Sequence, residues 1–165
     1  VGSHGQSDLG IWRVHQFTKI EQIIIATPEQ SWELQEELLQ NCLDLWDALG
    51  MHYEVVNIWT GDMGTVAARK YDLEAWIPGA NQYKEIVSCS NCTDYQANRL
   101  QIRYGQPGHA GQPIAHTLNS TAVATSRALV AIMEQNQMED GRVRIPEVLQ
   151  PLMGGQETLE PCTWG

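Results

Sequence analysis

Three strand-like stretches follow one another between residues 52 and 90 with no helical pattern separating them. "HYEVVNIW", "KYDLEAWIP" and "YKEIVSCS" are rich in β-branched and aromatic residues, and the turn signals "TGDMG" and "PGAN" lie among them. A parallel pair needs a crossover of a dozen or more residues, usually a helix. The pattern therefore predicts antiparallel pairing.

Helical patterns bracket this block. "TPEQSWELQEELLQNCLDLWDALG" offers Thr27 as a cap, Pro28 in the first turn, Glu29 at the positive helix end and Gly50 as a stop. Trp32, Leu39, Cys42, Leu43, Trp46 and Leu49 recur at helical spacing and predict its core stripe. "NSTAVATSRALVAIMEQNQ" reads as a second long helix, with Ala124, Ala128 and Ala131 permitting close packing. Upstream, "VGSHGQSDLG" reads as a loop and "IWRVHQFTKIEQIIIAT" as one long strand. "QPGHAGQP" is a connector, "RVRIPEVLQPLMGG" a terminal segment, and residues 156–165, "QETLEPCTWG", a loose tail. The expected class is α+β, an antiparallel sheet with helices on one face, in one domain over residues 1–155.

At 165 residues the chain is long enough for a real core, and six tryptophans supply bulk for it. A net charge of −10 argues against nucleic-acid binding through the general field of this segment. No apolar run, Ile23 to Ala26 included, approaches the roughly 18–20 residues needed to cross a bilayer, so no membrane role is expected. Four unpatterned cysteines suit a reducing compartment, and the cytoplasm is the expected location. The chain begins at Val1 without leader features and is expected to be a piece of a longer protein.

Cys89 and Cys92 form a CxxC pair, while Cys42 and Cys162 stand apart. A structural zinc needs four ligands, and no matching pair or HxxxH set accompanies this one. A redox pair at the end of the "YKEIVS" strand stays open on spacing alone, and small packing residues are the simpler reading.

Candidate chemistry sits on three elements. With period two, Ile11, Arg13, His15, Phe17, Lys19 and Glu21 share one face of the first strand. A cation, an aromatic ring and a carboxylate then follow at steps of four residues, roughly 13 Å each. A solvated strand face is the alternative. Glu85 and Ser88 could offer oxygens to Mg²⁺, but a regular strand points them to opposite faces, so joint ligation needs a bulge or a strand end. Arg127 is the single cation of the alanine-rich segment, and a phosphate or a structural carboxylate is its expected partner.

Four stretches, "GIWRVHQFTKIEQ", "YDLEAWIPG", "EIVSCSNCTDYQANRLQIRYG" and "HTLNSTAVATSRALVAIMEQNQ", followed by "IPEVLQPLMGG", resemble the C-terminal part of a seryl-tRNA synthetase catalytic domain. They cover roughly residues 10 to 155 in family order. The resemblance implies the class II synthetase fold, an antiparallel sheet flanked by helices, present here in part from the second half of motif 2 through motif 3. It also implies that "SCSNCTD" lies beside an ATP–Mg²⁺ site and is neither zinc knuckle nor redox pair.

Roles follow from the same resemblance. Arg13 would face the triphosphate, Phe17 would stack on adenine, and Val14, His15 and Gln16 would line the nucleotide site. Glu85 and Ser88 would help hold Mg²⁺ and ATP, with Ile86 and Val87 between them. Glu21 would hold the serine ammonium, Asn119 and Thr121 would read the serine side, and Arg127 would reach the γ-phosphate. The implied reaction activates L-serine with ATP to seryl-adenylate and passes the seryl group to tRNA(Ser) in a cytoplasmic homodimer.

The chain departs from the family pattern in its first residues. It starts after the Arg-x-Glu of motif 2, and motif 1, the upstream serine-binding segment and the tRNA-binding arm are not in it, so this chain alone is not expected to aminoacylate tRNA. Gln6 and Leu9 in "GQSDLG" replace cationic positions. A non-catalytic paralogue and an amino acid:carrier-protein ligase are the competing readings.

Overall fold

The computed structural model describes residues 10–106 and 108–162. Its centre is a five-stranded antiparallel sheet in the order β1-β5-β4-β3-β2. The strands are β1 (Lys19–Ala26), β2 (Tyr53–Asn57), β3 (Arg69–Ile77), β4 (Gln82–Asn91) and β5 (His116–Ala124). The predicted antiparallel block is present as β2, β3 and β4. The β3–β4 connection is the tight "PGAN" turn, where Asn81 takes a φ of 50°, a left-handed conformation that asparagine tolerates better than most residues.

Helix α1 (Ser31–Ala48) packs on β5, β4 and β1. It begins at Ser31 because Thr27 to Gln30 form a turn, with the Gln30 N–H donating to the Thr27 carbonyl at 3.2 Å. Gly50, at φ 68°, ends it as expected. The predicted stripe holds at Leu39, Cys42, Trp46 and Leu49, which are buried, and at Leu43, which packs against the core, but not at Trp32. Cys42 and Trp46 are fully buried, but Trp32 is 43% exposed and lies against the Arg69 guanidinium, 5.2 Å from its ring centroid. Gln35 is buried instead, with its amide donating to the Arg69 carbonyl and its oxygen accepting from Arg69 Nε at 2.7 Å. A polar side chain is tolerated there because its hydrogen bonds are made.

The segment expected to be one helix from Asn119 is two elements. Residues up to Ala124 are β5, and only Thr125–Gln135 form a helix, which follows the short α2 (Tyr95–Leu100) and is therefore α3. Thr117, Thr121 and Val123 are β-branched, and two neighbouring strands are available to pair with this stretch. Tertiary pairing overrides the alanine content. Ala128 and Ala131 of α3 are buried, and they join Leu73, Ala75, Ile77, Ile86 and Trp46 in one hydrophobic cluster.

The long first strand is also shorter than its sequence pattern. Residues 11–18 are turns and irregular backbone, and β1 starts only at Lys19. Among the described residues β1 pairs with β5 alone, so nothing holds residues 11–18 in a ladder. Extended backbone without a partner gains no ladder hydrogen bonds. At the other end, Thr158–Leu159, expected to be loose, form β7 against β6 (Val143–Arg144).

Candidate active site

Two backbone irregularities shape one face of the sheet. In the β3–β4 ladder Leu73 pairs with Val87 and Glu74 with Glu85, which leaves Ile86 as an extra residue. Ile86 and Val87 are both buried, so the bulge brings Glu85 and Ser88 to the same side. This is the condition their joint use as oxygen ligands requires. A second bulge leaves Ala122 extra between Ile20–Val123 and Glu21–Thr121.

Register then sorts the polar residues. Glu21 faces Thr121, Ile23 faces Asn119, Asn119 faces Ser90, and Asp72 faces Ser88. Directly opposed residues share a face, so Glu21, Thr121, Asn119, Ser90, Ser88 and Asp72 make one polar row across four strands. The opposite face carries Ser120 and Cys89, which meet Cys42 and the Gln35 carbonyl of α1.

At the β1–β5 end, Glu21 is paired with Lys19 at 2.6 Å and accepts from the Thr121 hydroxyl at 3.4 Å. Lys19 Nζ also donates to Thr121 Oγ1 at 3.4 Å. Glu21 is thus a half-buried carboxylate already matched to an ammonium. Asn119 donates through Nδ2 to Cys92 Sγ at 3.7 Å.

At the other end, Arg127, in the first turn of α3, donates to the Glu85 carbonyl at 2.8 Å and lies 3.4 Å from Glu85 Oε1. Its guanidinium also stands 5.5 Å from the Trp12 ring, and Lys84 Nζ stands 5.2 Å from it. A cleft of about 260 Å³ gathers Arg13, Arg127, Glu85, Glu74, Lys84, Trp12, Gln82 and Tyr83. Burial pushes the Glu74 carboxyl up, reinforced by Glu54, Asp72 and Glu85. Cations and carboxylates converging on one small cleft suit a phosphate chain carried with a divalent cation.

Of the sequence-predicted residues, Arg13, Glu85 and Arg127 meet in this cleft. Glu21 and Thr121 meet at the β1 edge, with Asn119 two residues away along β5 on the same face. His15, Gln16 and Phe17 are exposed on the 11–18 segment, Phe17 by 49%, and Val14 is half-buried there; none of the four lines the cleft. Ile86 and Val87 are core residues. Gln6 and Leu9 lie outside the described residues. Trp12, Lys84, Glu74 and Asp72 were missed. "YDLE" carried alternating carboxylates as a visible signal, whereas nothing in the sequence marks Trp12 as a partner of two cations.

The CxxC pair splits between two environments. Cys89 points into the α1 interface, where burial pushes its thiol up to about 12, while Cys92 is buried beside Asn119 and is also pushed up. Burial of both thiols in separate surroundings is the opposite of the exposed, electropositive setting of an attacking thiolate.

Residues 3–136 match the family model of the tRNA synthetase class II core domain (G, H, P, S and T). The chain belongs to the class II tRNA synthetase core family. It is 58% identical over 161 residues to the serine--tRNA ligase of Methanocorpusculum labreanum, covering 96% of this chain and 38% of that protein. The Archaeoglobus fulgidus serine--tRNA ligase is 57% identical over 151 residues, covering 91% and 33%. Among solved structures, seryl-tRNA synthetase from Pyrococcus horikoshii complexed with ATP superposes with a TM-score of 0.91 at 52% identity, covering 96% of this chain and 35% of that one. The cytoplasmic serine-tRNA ligase of Naegleria fowleri in complex with AMP gives 0.86 at 49% identity, covering 92% and 36%. The chain spans only 33–38% of the length of these curated relatives.

Proposed function

We propose that this chain supplies the nucleotide-facing part of a serine adenylation site in a serine--tRNA ligase. The observation that carries the reading is the cleft where Arg13, Arg127 and Glu85 converge, set at one end of a polar row that ends at Glu21. The identity to serine--tRNA ligases and the fold shared with an ATP complex support it.

In this reading the triphosphate lies against Arg13 and Arg127. Each guanidinium presents fixed donors to phosphate oxygens and neutralises charge as it develops. Glu85 and Ser88, aligned by the bulge, would hold Mg²⁺, which supplies charge neutralisation on the phosphates when bound. Phe17 is free to stack on the adenine base. Glu21 receives the serine ammonium in competition with Lys19, and Asn119 and Thr121 present donors and acceptors on the serine side. A site that bonds a hydroxyl rejects alanine, because its polar groups would be left unpaired. Catalysis then comes from alignment and electrostatic stabilisation rather than covalent participation. Transfer to tRNA(Ser), a homodimeric whole enzyme and a cytoplasmic location complete the reading, the last supported by the Naegleria neighbour.

Binding of non-hydrolysable aminoacyl-sulfamoyl adenosines, measured by calorimetry, tests it. Seryl-sulfamoyl adenosine should bind at least tenfold more tightly than the alanyl analogue. Equal binding of the two would overturn the serine assignment.

A further inference from the structure

Asp72 sits in the middle of β3 with only 4% of its surface exposed. One carboxylate oxygen, Oδ2, is 3.0 Å from Lys70 Nζ. The other, Oδ1, is buried with no hydrogen-bond partner. A buried charged acceptor without a partner is costly and calls for an explanation. Its directly opposed residue in the ladder is Ser88, whose hydroxyl makes no hydrogen bond among the described residues. An unmatched acceptor therefore faces a hydroxyl without a partner, next to the bulge that aims Glu85 and Ser88 together.

We propose that Asp72 is a positioning residue for Ser88: when Mg²⁺ and ATP bind, the Ser88 hydroxyl hydrogen turns to Asp72 Oδ1. A serine hydroxyl has one hydrogen and two lone pairs. Committing the hydrogen to Asp72 leaves the lone pairs for the cation. Lys70 fixes the carboxylate by holding Oδ2, so the rotation falls to Ser88. Outer partners of this kind typically contribute roughly 10–100-fold to metal affinity. The inference rests on the adenylation-site reading above.

The test is the affinity for ATP with and without Mg²⁺, by calorimetry, in wild type, Asp72→Asn, Ser88→Ala and the double variant. In Asp72→Asn the Lys70 ammonium, which only donates, takes the amide oxygen and turns the amide NH₂ toward Ser88. The acceptor is then gone at unchanged size. Metal-free ATP affinity should stay within twofold, while the Mg²⁺ concentration giving half-maximal enhancement should rise about tenfold or more. In the Ser88→Ala background the same substitution should add less than twofold. Should Asp72→Asn fail to fold because Lys70 loses its counterion, the paired apolar replacement Lys70→Met with Asp72→Val removes both charges and carries the same expectation. An unchanged Mg²⁺ dependence in a folded variant, or a full effect persisting without the Ser88 hydroxyl, would overturn the role of Asp72. Wild type that shows no Mg²⁺-enhanced ATP binding at all would instead overturn the reading of the site.

Discussion

Arg127 donates to the backbone carbonyl of Glu85 at 2.8 Å while its guanidinium also approaches the Glu85 carboxylate at 3.4 Å. The start of α3 is thereby fixed to the strand that carries the bulge, and the cation is set beside the acid expected to share the phosphate chain with it. Replacing Arg127 by Ala should lower serine-dependent ATP–pyrophosphate exchange by roughly 10²–10³, the usual loss of one preorganised charge stabiliser. The effect should fall mainly on kcat, and Arg127→Lys should rescue it only in part, since an ammonium lacks the planar fork. Steady-state exchange kinetics measure both.

Glu21 is expected to exchange its bond with Lys19 for one with the substrate ammonium. Glu21→Gln keeps the shape and the Thr121 contact but removes the charge. Losing a hydrogen bond to a charged group costs about 1.5–3 kcal/mol, so KM for serine should rise about tenfold to hundredfold while KM for ATP changes little. Equal rises in both would locate Glu21 elsewhere.

Stability should fall at alkaline pH for a reason visible in the core. Burial pushes Cys89 up to about 12 from an ordinary 9.0, and burial also raises Cys42 and Cys92. Above pH 9 the unfolded chain loses these protons while the folded chain keeps them. The unfolded state then binds fewer protons, so unfolding becomes easier as pH rises from about 9 toward 12. Thermal melts from pH 7 to 11 should show a Tm that holds and then declines. Native iodoacetamide labelling at pH 8 should modify exposed Cys162 first and leave Cys42, Cys89 and Cys92 protected.

Trp46 anchors the α1 face with no exposure. Trp46→Ala should cost about 3–5 kcal/mol by creating a cavity the surrounding core cannot fill. Trp32→Ala, on the same helix but 43% exposed, should cost far less. Urea melts of the two variants separate the buried member of the predicted stripe from the exposed one.

The physical causes explain which features could be read in advance. Connectors without a helical pattern dictated the antiparallel block, and the family resemblance pointed to the residues that converge on the cleft. The extent of β1 and the strand character of Asn119–Ala124 were not readable, because each depends on which neighbours are available to pair. The β4 bulge was named only as a requirement for Glu85 and Ser88; its location at Ile86 follows from a one-residue register shift in the β3–β4 ladder, which no local pattern records. Asp72 escaped notice because an orphaned oxygen is a property of packing.

The most direct measurement is ATP–pyrophosphate exchange by this chain extended upstream to the length of its serine--tRNA ligase relatives. Exchange that requires serine, is at least a hundredfold weaker with alanine, and collapses in Arg127→Ala is the expected result. A folded, extended protein that gives no exchange with serine, or exchanges equally with alanine, would contradict the assignment of this cleft and polar row to serine activation.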